Sequence, residues 1–96
     1  MVIEIETFRL ADGADEEAFL DADELVHQEF ANLEPGFIRR TTARGDDGAW
    51  IVITLWTSSD AADKSAQRAE GVAAGRAFRR LLDQASLEVA RYETLD

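Results

Sequence analysis

Apolar and polar residues alternate from Val2 to Leu10, with Ile3 and Ile5 set among Glu4 and Glu6, and Ala11-Asp12-Gly13 closes the run. A period of two predicts a strand. Between Asp15 and Leu33 the period changes: Phe19, Ala22, Val26, Phe30 and Leu33 recur at three and four residues, acids fill the first turn, and Pro35-Gly36 stops the run. This is the pattern of an amphipathic helix of about five turns, its acids placed where the helix dipole favours them. Two extended runs follow, Phe37 to Arg44 and Ala49 to Thr57, around Gly45-Asp46-Asp47-Gly48. That turn composition supplies the positive φ a hairpin needs. Ser58 is the natural N-cap of a second helix beginning at Asp60. Gly71 and Gly75 each lower helix propensity by ~1 kcal/mol relative to Ala, which predicts a break or bend near them. A last helical stretch, Arg76 to Leu82, and a final strand, Leu87 to Leu95, complete the chain.

The element order is β-α-β-β-α-β, which predicts an α+β fold, a ferredoxin-like plait with a four-stranded antiparallel sheet and helices on one face. If Arg44 and Ala49 flank the turn as a pair, hairpin partners sum to 93. Phe37, Arg39, Thr41 and Ala43 then share a face with Trp56, Thr54, Val52 and Trp50, while Ile38, Arg40 and Thr42 lie with Leu55, Ile53 and Ile51. Both faces of the third strand are apolar on this register. A chain of 96 residues supports one core and forms a single domain over 1–96, so the second face needs cover from elsewhere. A second copy of the chain is the simplest cover, and the expectation is a homodimer.

Composition narrows the partners. The chain carries 20 acidic and 10 basic side chains for a net charge of −10. Residues 1–34 hold eleven of the acids and a single base, Arg9, so all of the net charge sits in the first third, as a solvated helix face would have it. This balance argues against nucleic acid or an anionic membrane as partner. No apolar run is long enough to span a bilayer, and the N-terminus lacks the features of a signal peptide. With no cysteine, there is neither a disulfide framework nor a thiolate site, and a cytoplasmic location is expected.

Three sets of residues could carry chemistry. His27 is the only side chain with an unperturbed pKa near neutrality. It lies on the flank of the first helix, either as a pocket base held by Asp23 or as a histidine packed at a surface edge. Glu24 and His27 have the Glu-x-x-His spacing of carboxylate-bridged metal sites, but such sites need a second motif and more histidines than the one present. Neither metal nor cofactor is expected. Arg39, Thr54 and Trp56 form the strongest constellation, because a guanidinium, a hydroxyl and an indole on one face can hold an oxygen-rich aromatic ligand. Phe37 and Tyr92 would complete its wall. The alternative is that Trp56 anchors the core and Arg39 pairs with a carboxylate such as Glu4 or Glu6 at a wet rim.

The run Pro35-Gly36-Phe37-Ile38-Arg39-Arg40, the Gly-bounded hairpin, Trp56-Thr57-Ser58 leading into a helix, and a final strand bearing Tyr92 resemble the dimeric α+β barrel superfamily, and within it the small antibiotic-biosynthesis-monooxygenase-like proteins. The resemblance implies two sheets packed across a dimer and a small-molecule pocket between sheet and helices in each subunit. It implies a cofactor-independent monooxygenase or isomerase acting on an aromatic or polyketide-like substrate, with His27, Arg39 and Trp56 as working residues, or else a non-catalytic ligand-binding or accessory dimer. Carried over by position, the pattern is incomplete. The Asn that such monooxygenases place four residues before the strand-three Trp falls on Val52. The iron-ligating His of haem-degrading relatives falls on Ala66, and their strand-one Asn falls near Glu6 or Thr7.

Overall fold

The computed structural model describes residues 1–95. Strands β1 (Val2–Phe8), β2 (Phe37–Arg44), β3 (Trp50–Trp56) and β4 (Glu88–Glu93) form one sheet in the order β2-β3-β1-β4, every neighbouring pair antiparallel. Helices α1 (Glu16–Glu29), α2 (Ser59–Ala69) and α3 (Ala73–Arg80) complete the ferredoxin-like α+β fold.

Local chemistry sets the element ends. Asp15 caps α1 by accepting from the Ala18 N–H, and Ser58 caps α2 by accepting from the Ala61 N–H. The first helix is shorter than the apolar periodicity predicts. Phe30 leaves helical geometry at φ −131°, Ala31–Leu33 forms a separate 3-10 turn, and Leu33 is exposed. The predicted break between the second and third helical stretches falls at residues 70–72, so α3 begins at Ala73 rather than Arg76. Gly75 lets α3 approach α2: a Cβ there would lie 2.4 Å from the Ala69 carbonyl oxygen. Gly36, at φ +82°, is equally constrained, since a Cβ would meet Ala61 and Thr57 within 2.7 Å.

The hairpin register differs from the predicted one by a single residue. Arg44 pairs with Trp50 rather than with Ala49, and pairing continues on a sum of 94 through Arg40 with Thr54 and Arg39 with Leu55. The turn is longer because Asp47 and Gly48 both take positive φ, and Gly45 donates its N–H to the Ala49 carbonyl. A bulge at Ile38 then restores Phe37 to a place opposite Trp56. A slip of one residue exchanges the two faces of β2 between Arg39 and Arg44. Arg40, Thr42 and Arg44 therefore lie on the face of Trp56, Thr54 and Trp50, and Arg39 lies on the other.

Register also fixes β1. Val2, Glu4, Glu6 and Phe8 stand opposite Trp56, Thr54, Val52 and Trp50 on the helix-covered face. Ile3 and Ile5 share the opposite face with Leu55, Ile53 and Ile51, and all five are only half-buried. The densest packing lies at the Trp50 end, where Phe8, Phe19, Trp50, Val52 and Leu82 are buried together and Phe78 leans onto them. Phe19 has no exposed surface. Its ring meets Trp50 at 4.8 Å, Phe78 at 5.4 Å and Phe8 at 5.7 Å between centroids, in tilted and edge-on contacts that aromatic quadrupoles favour.

Candidate functional site

At the other end of β3 the helices stand away from the sheet and enclose a cavity of about 200 Å³. Its floor is the strand face carrying Glu4 and Glu6 of β1, Arg40 of β2, Thr54 and Trp56 of β3, and Val89 and Arg91 of β4. Its cover is Val26 of α1 and Phe30 at the C-terminal end of that helix, Ala62, Ser65 and Ala66 of α2, and Phe78 and Arg79 of α3. The sequence produces this gap through side-chain size. Where α3 sets Phe78 against Phe19 and Phe8, α2 sets Ala62, Ser65, Ala66 and Ala69 over the strands, and these short side chains do not reach the floor.

Trp56 is 4% exposed, and its Nε1 is buried without a hydrogen-bond partner among the described residues. A buried indole donor left unpaired is costly, and Trp56 is one of the residues that line the cavity. Thr54, also 4% exposed, lies beside it on the same strand face.

The charges on the floor fall into two groups. Arg91 spans Glu4 at 2.9 Å and Asp63 at 2.5 Å, and those two hydrogen bonds hold its guanidinium above its ordinary pKa. Arg40 donates to Asp23 at 2.7 Å, Asp23 also accepts from the Thr42 hydroxyl at 3.0 Å, and the guanidinium lies 5.7 Å from the centroid of the Phe78 ring. The Arg40 side chain is 8% exposed, so this pair is largely desolvated and holds α1 to β2. Glu6 and Arg79 remain: among the described residues neither side chain makes an ion pair or hydrogen bond. Burial pushes the Glu6 carboxyl above its ordinary pKa, Glu4 adds to the effect, and Arg40 and Arg79 oppose it.

Several predicted positions are corrected by this geometry. Arg39 does not join Thr54 and Trp56. The longer turn places it, exposed, on the opposite face beside Leu55, and Arg40 occupies the place predicted for it. Tyr92 pairs with Ile3 on that same far face and is 59% exposed, so it does not line the cavity. His27 lies outside the lining too. It is half-buried with its ring edge-on to Phe37 at 6.0 Å, and the partner proposed for it, Asp23, is engaged by Arg40 and Thr42. Phe37 packs behind Trp56, ring to ring at 5.9 Å, and supports the indole rather than touching the cavity. Glu24 accepts from Gln28, away from any metal-like grouping, and no such cluster occurs among the described residues.

Glu4, Glu6, Arg40, Arg79 and Arg91 line the cavity but are not among the predicted site residues, Glu4 and Glu6 being expected only as rim partners of Arg39. The signal was present in β1: Val2 and Phe8 are apolar and share a strand face with both acids, which marks Glu4 and Glu6 as inward-facing charges between two core anchors. The cavity does not fit haem. Ala66, at the iron-ligand place, lines it and offers no donor, and the volume is far below that of a macrocycle.

No protein-family model and no curated protein sequence matches the chain. Among solved structures the likeness is extensive. SnoaB, a cofactor-independent oxygenase from Streptomyces nogalater, superposes with a TM-score of 0.80 over 99% of this chain and 93% of its own, at 21% identity. The chain has the fold of this oxygenase. A candidate antibiotic biosynthesis monooxygenase from Nitrosomonas europaea matches over the whole of both chains with a TM-score of 0.75 at 17% identity. The heme-degrader MhuD from Mycobacterium tuberculosis, in a structure with two hemes in its active site, gives 0.74 at 21% identity, covering 99% of this chain and 96% of that one. No helix among the described residues is long and apolar enough to cross a membrane.

Proposed function

We propose that the protein is a small-molecule-binding α+β barrel dimer whose ligand occupies the cavity at the Trp56 end of the sheet. The observation that carries this reading is the cavity that α2 leaves unfilled, lined by Trp56, whose buried Nε1 has no hydrogen-bond partner among the described residues. An apolar cavity of about 150 Å³ accommodates benzene. A volume near 200 Å³ therefore suits a one- or two-ring molecule better than a four-ring polyketide. A second copy covers the far face of the sheet, where Ile3, Ile5, Ile51, Ile53 and Leu55 form a half-buried apolar surface. Sedimentation should give twice the chain mass of 10.6 kDa, and a 10.6 kDa species at micromolar concentration contradicts the dimer.

The likeness to a cofactor-independent oxygenase supports monooxygenase-like chemistry on an aromatic substrate. The second reading, a non-catalytic ligand-binding dimer, draws support from Val52, which is buried in the core at the place where such oxygenases carry an Asn, and from Arg39, which lies outside the cavity. Two measurements separate them. Calorimetric titration with 2-tetralone, a two-ring ketone, should show binding that Ala66→Phe abolishes, because Ala66 lines the cavity from α2. Oxygen uptake with 1-naphthol in cofactor-free buffer above the buffer rate supports the oxygenase. Binding of both compounds without uptake supports the accessory role.

A further inference from the structure

Two acids line the cavity, and the protein satisfies one of them. Glu4 accepts from Arg91 at 2.9 Å, whereas the Glu6 carboxyl has no hydrogen bond or ion pair among the described residues. Register explains the difference. Glu6 stands between Val52 of β3 and Val89 of β4, so neither neighbouring strand brings a side-chain donor beside it. The arginines of the lining are placed otherwise: Arg40 is held by Asp23, Arg91 by Glu4 and Asp63, and Arg79 is exposed on α3. Glu6 itself is half-buried and keeps surface that a ligand in the cavity can reach.

The charges of Arg40 and Arg79 act on Glu6 without compensating it. Burial and the neighbouring Glu4 raise its carboxyl pKa by more than the two arginines lower it. The lining and the groups tied to it hold four acids, Glu4, Glu6, Asp23 and Asp63, against three arginines, which leaves one negative charge in excess. Phe30, Trp56 and Phe78 give the same space aromatic walls. An ammonium group gains from both features, because an unpaired carboxylate accepts charge-assisted hydrogen bonds and aromatic faces attract a cation. A ligand carboxylate would instead meet repulsion at Glu6. A ketone or ether would cover Glu6 and leave it unpaired.

We propose that Glu6 selects the ligand of this cavity, and that the class it selects is a primary amine on a one- or two-ring aryl skeleton, its ammonium donating to the Glu6 carboxylate. The inference rests on the small-molecule reading above and gives that ligand a charge. The rings take the space left by the short side chains of α2. Because the pair needs an ionised carboxyl, affinity rises as pH is raised through the Glu6 titration, while an aliphatic ammonium stays protonated. The charged groups around Glu6 in that range are Glu4 of β1, Arg40 of β2, Arg91 of β4 and Arg79 of α3. Strand β3 presents Val52, Thr54 and Trp56, while Asp23 of α1 and Asp63 of α2 are tied to Arg40 and Arg91. His27 does not line the cavity.

The test is calorimetric titration with 2-aminotetralin, 2-tetralol and 2-tetralone, which share a two-ring skeleton and carry an ammonium, a hydroxyl and a carbonyl at the same carbon. Wild-type protein should bind the amine about tenfold or more tightly than either neutral compound, the worth of a hydrogen bond to a charged group. Glu6→Gln should bring the amine down to the affinity of the alcohol, and Glu6→Asp, which keeps the charge, should retain part of the preference. A cooperative thermal transition shows that each variant folds. Ala66→Phe should abolish amine binding, which separates the cavity from the acidic surface of α1. Equal affinities in wild-type protein, a preference undiminished in Glu6→Gln, or amine binding that survives Ala66→Phe overturns the assignment of Glu6 alone. Failure of all three compounds to bind wild-type protein overturns the small-molecule reading and this inference together.

Discussion

Trp50 and Trp56 begin and end the same strand, on the same face, and both are nearly fully buried, yet they meet opposite surroundings. Trp50 lies against Phe19 in a close-packed aromatic cluster that also draws in Phe8 and Phe78. Trp56 has Phe37 behind it and, in front, a cavity floored by acids and covered by the alanines and serine of α2. One end of the sheet is committed to holding the fold together. The other keeps unfilled volume, an unpaired donor and a destabilised carboxylate, features that a chain this small retains at a cost in stability and that suit a binding site.

The contrast is sharpest in truncation experiments. Trp50→Ala should destabilise the protein by roughly 3–5 kcal/mol in urea denaturation. Trp56→Ala should fall at or below the low end of that range, because one side of its indole already faces a void and forfeits fewer contacts. An equal loss at both positions would mean that the cavity is closed by packing. Asp23→Ala comes next. It strands the Arg40 guanidinium, with its 8% exposure, without a counter-charge and should cost about 3 kcal/mol.

Glu6 gives a smaller effect with a distinctive pH dependence. Its folded pKa is raised, so the folded state holds the proton more tightly than the unfolded chain. Its contribution to stability is fully present below the ordinary carboxyl pKa and is lost as pH rises through the raised folded value. Glu6→Gln should remove that decline and raise Tm by roughly a few degrees at neutral pH. A variant less stable than wild type at pH 7 would contradict the assignment of Glu6 as an uncompensated inward charge. Arg39→Leu should produce the smallest change, within about 0.5 kcal/mol in urea, because the side chain is exposed and makes no ion pair among the described residues. It should also leave 2-tetralone binding intact.

Much of the fold is legible in periodicity and capping. The alternation at Ile3 and Ile5, the Ser58 cap, the glycine-bounded hairpin and the break near Gly71 each have a local physical cause, and the element order follows from them. The site is less legible, and one residue of register explains most of the difference. The pairing of the two hairpin strands depends on Asp47 adopting φ 60°, a conformation of a non-glycine residue that turn composition does not fix. That single residue moves Arg40 into the cavity and Arg39 out of it. Glu4 and Glu6 were obscured for another reason. Alternation with isoleucine suggests that the acids face water, whereas here the isoleucines face the uncovered side of the sheet and the acids face the helices.

The difference between the two tryptophans can be read directly from their indole N–H resonances in a ¹H–¹⁵N NMR spectrum, assigned by Trp56→Phe, as 2-tetralone is added. With the ligand in the cavity, the Trp56 resonance should move progressively to saturation as its free donor gains an acceptor, while the Trp50 resonance stays in place. Movement of Trp50 with Trp56 unchanged, or saturable binding that moves neither, would contradict the assignment of the Trp56 end as the ligand site.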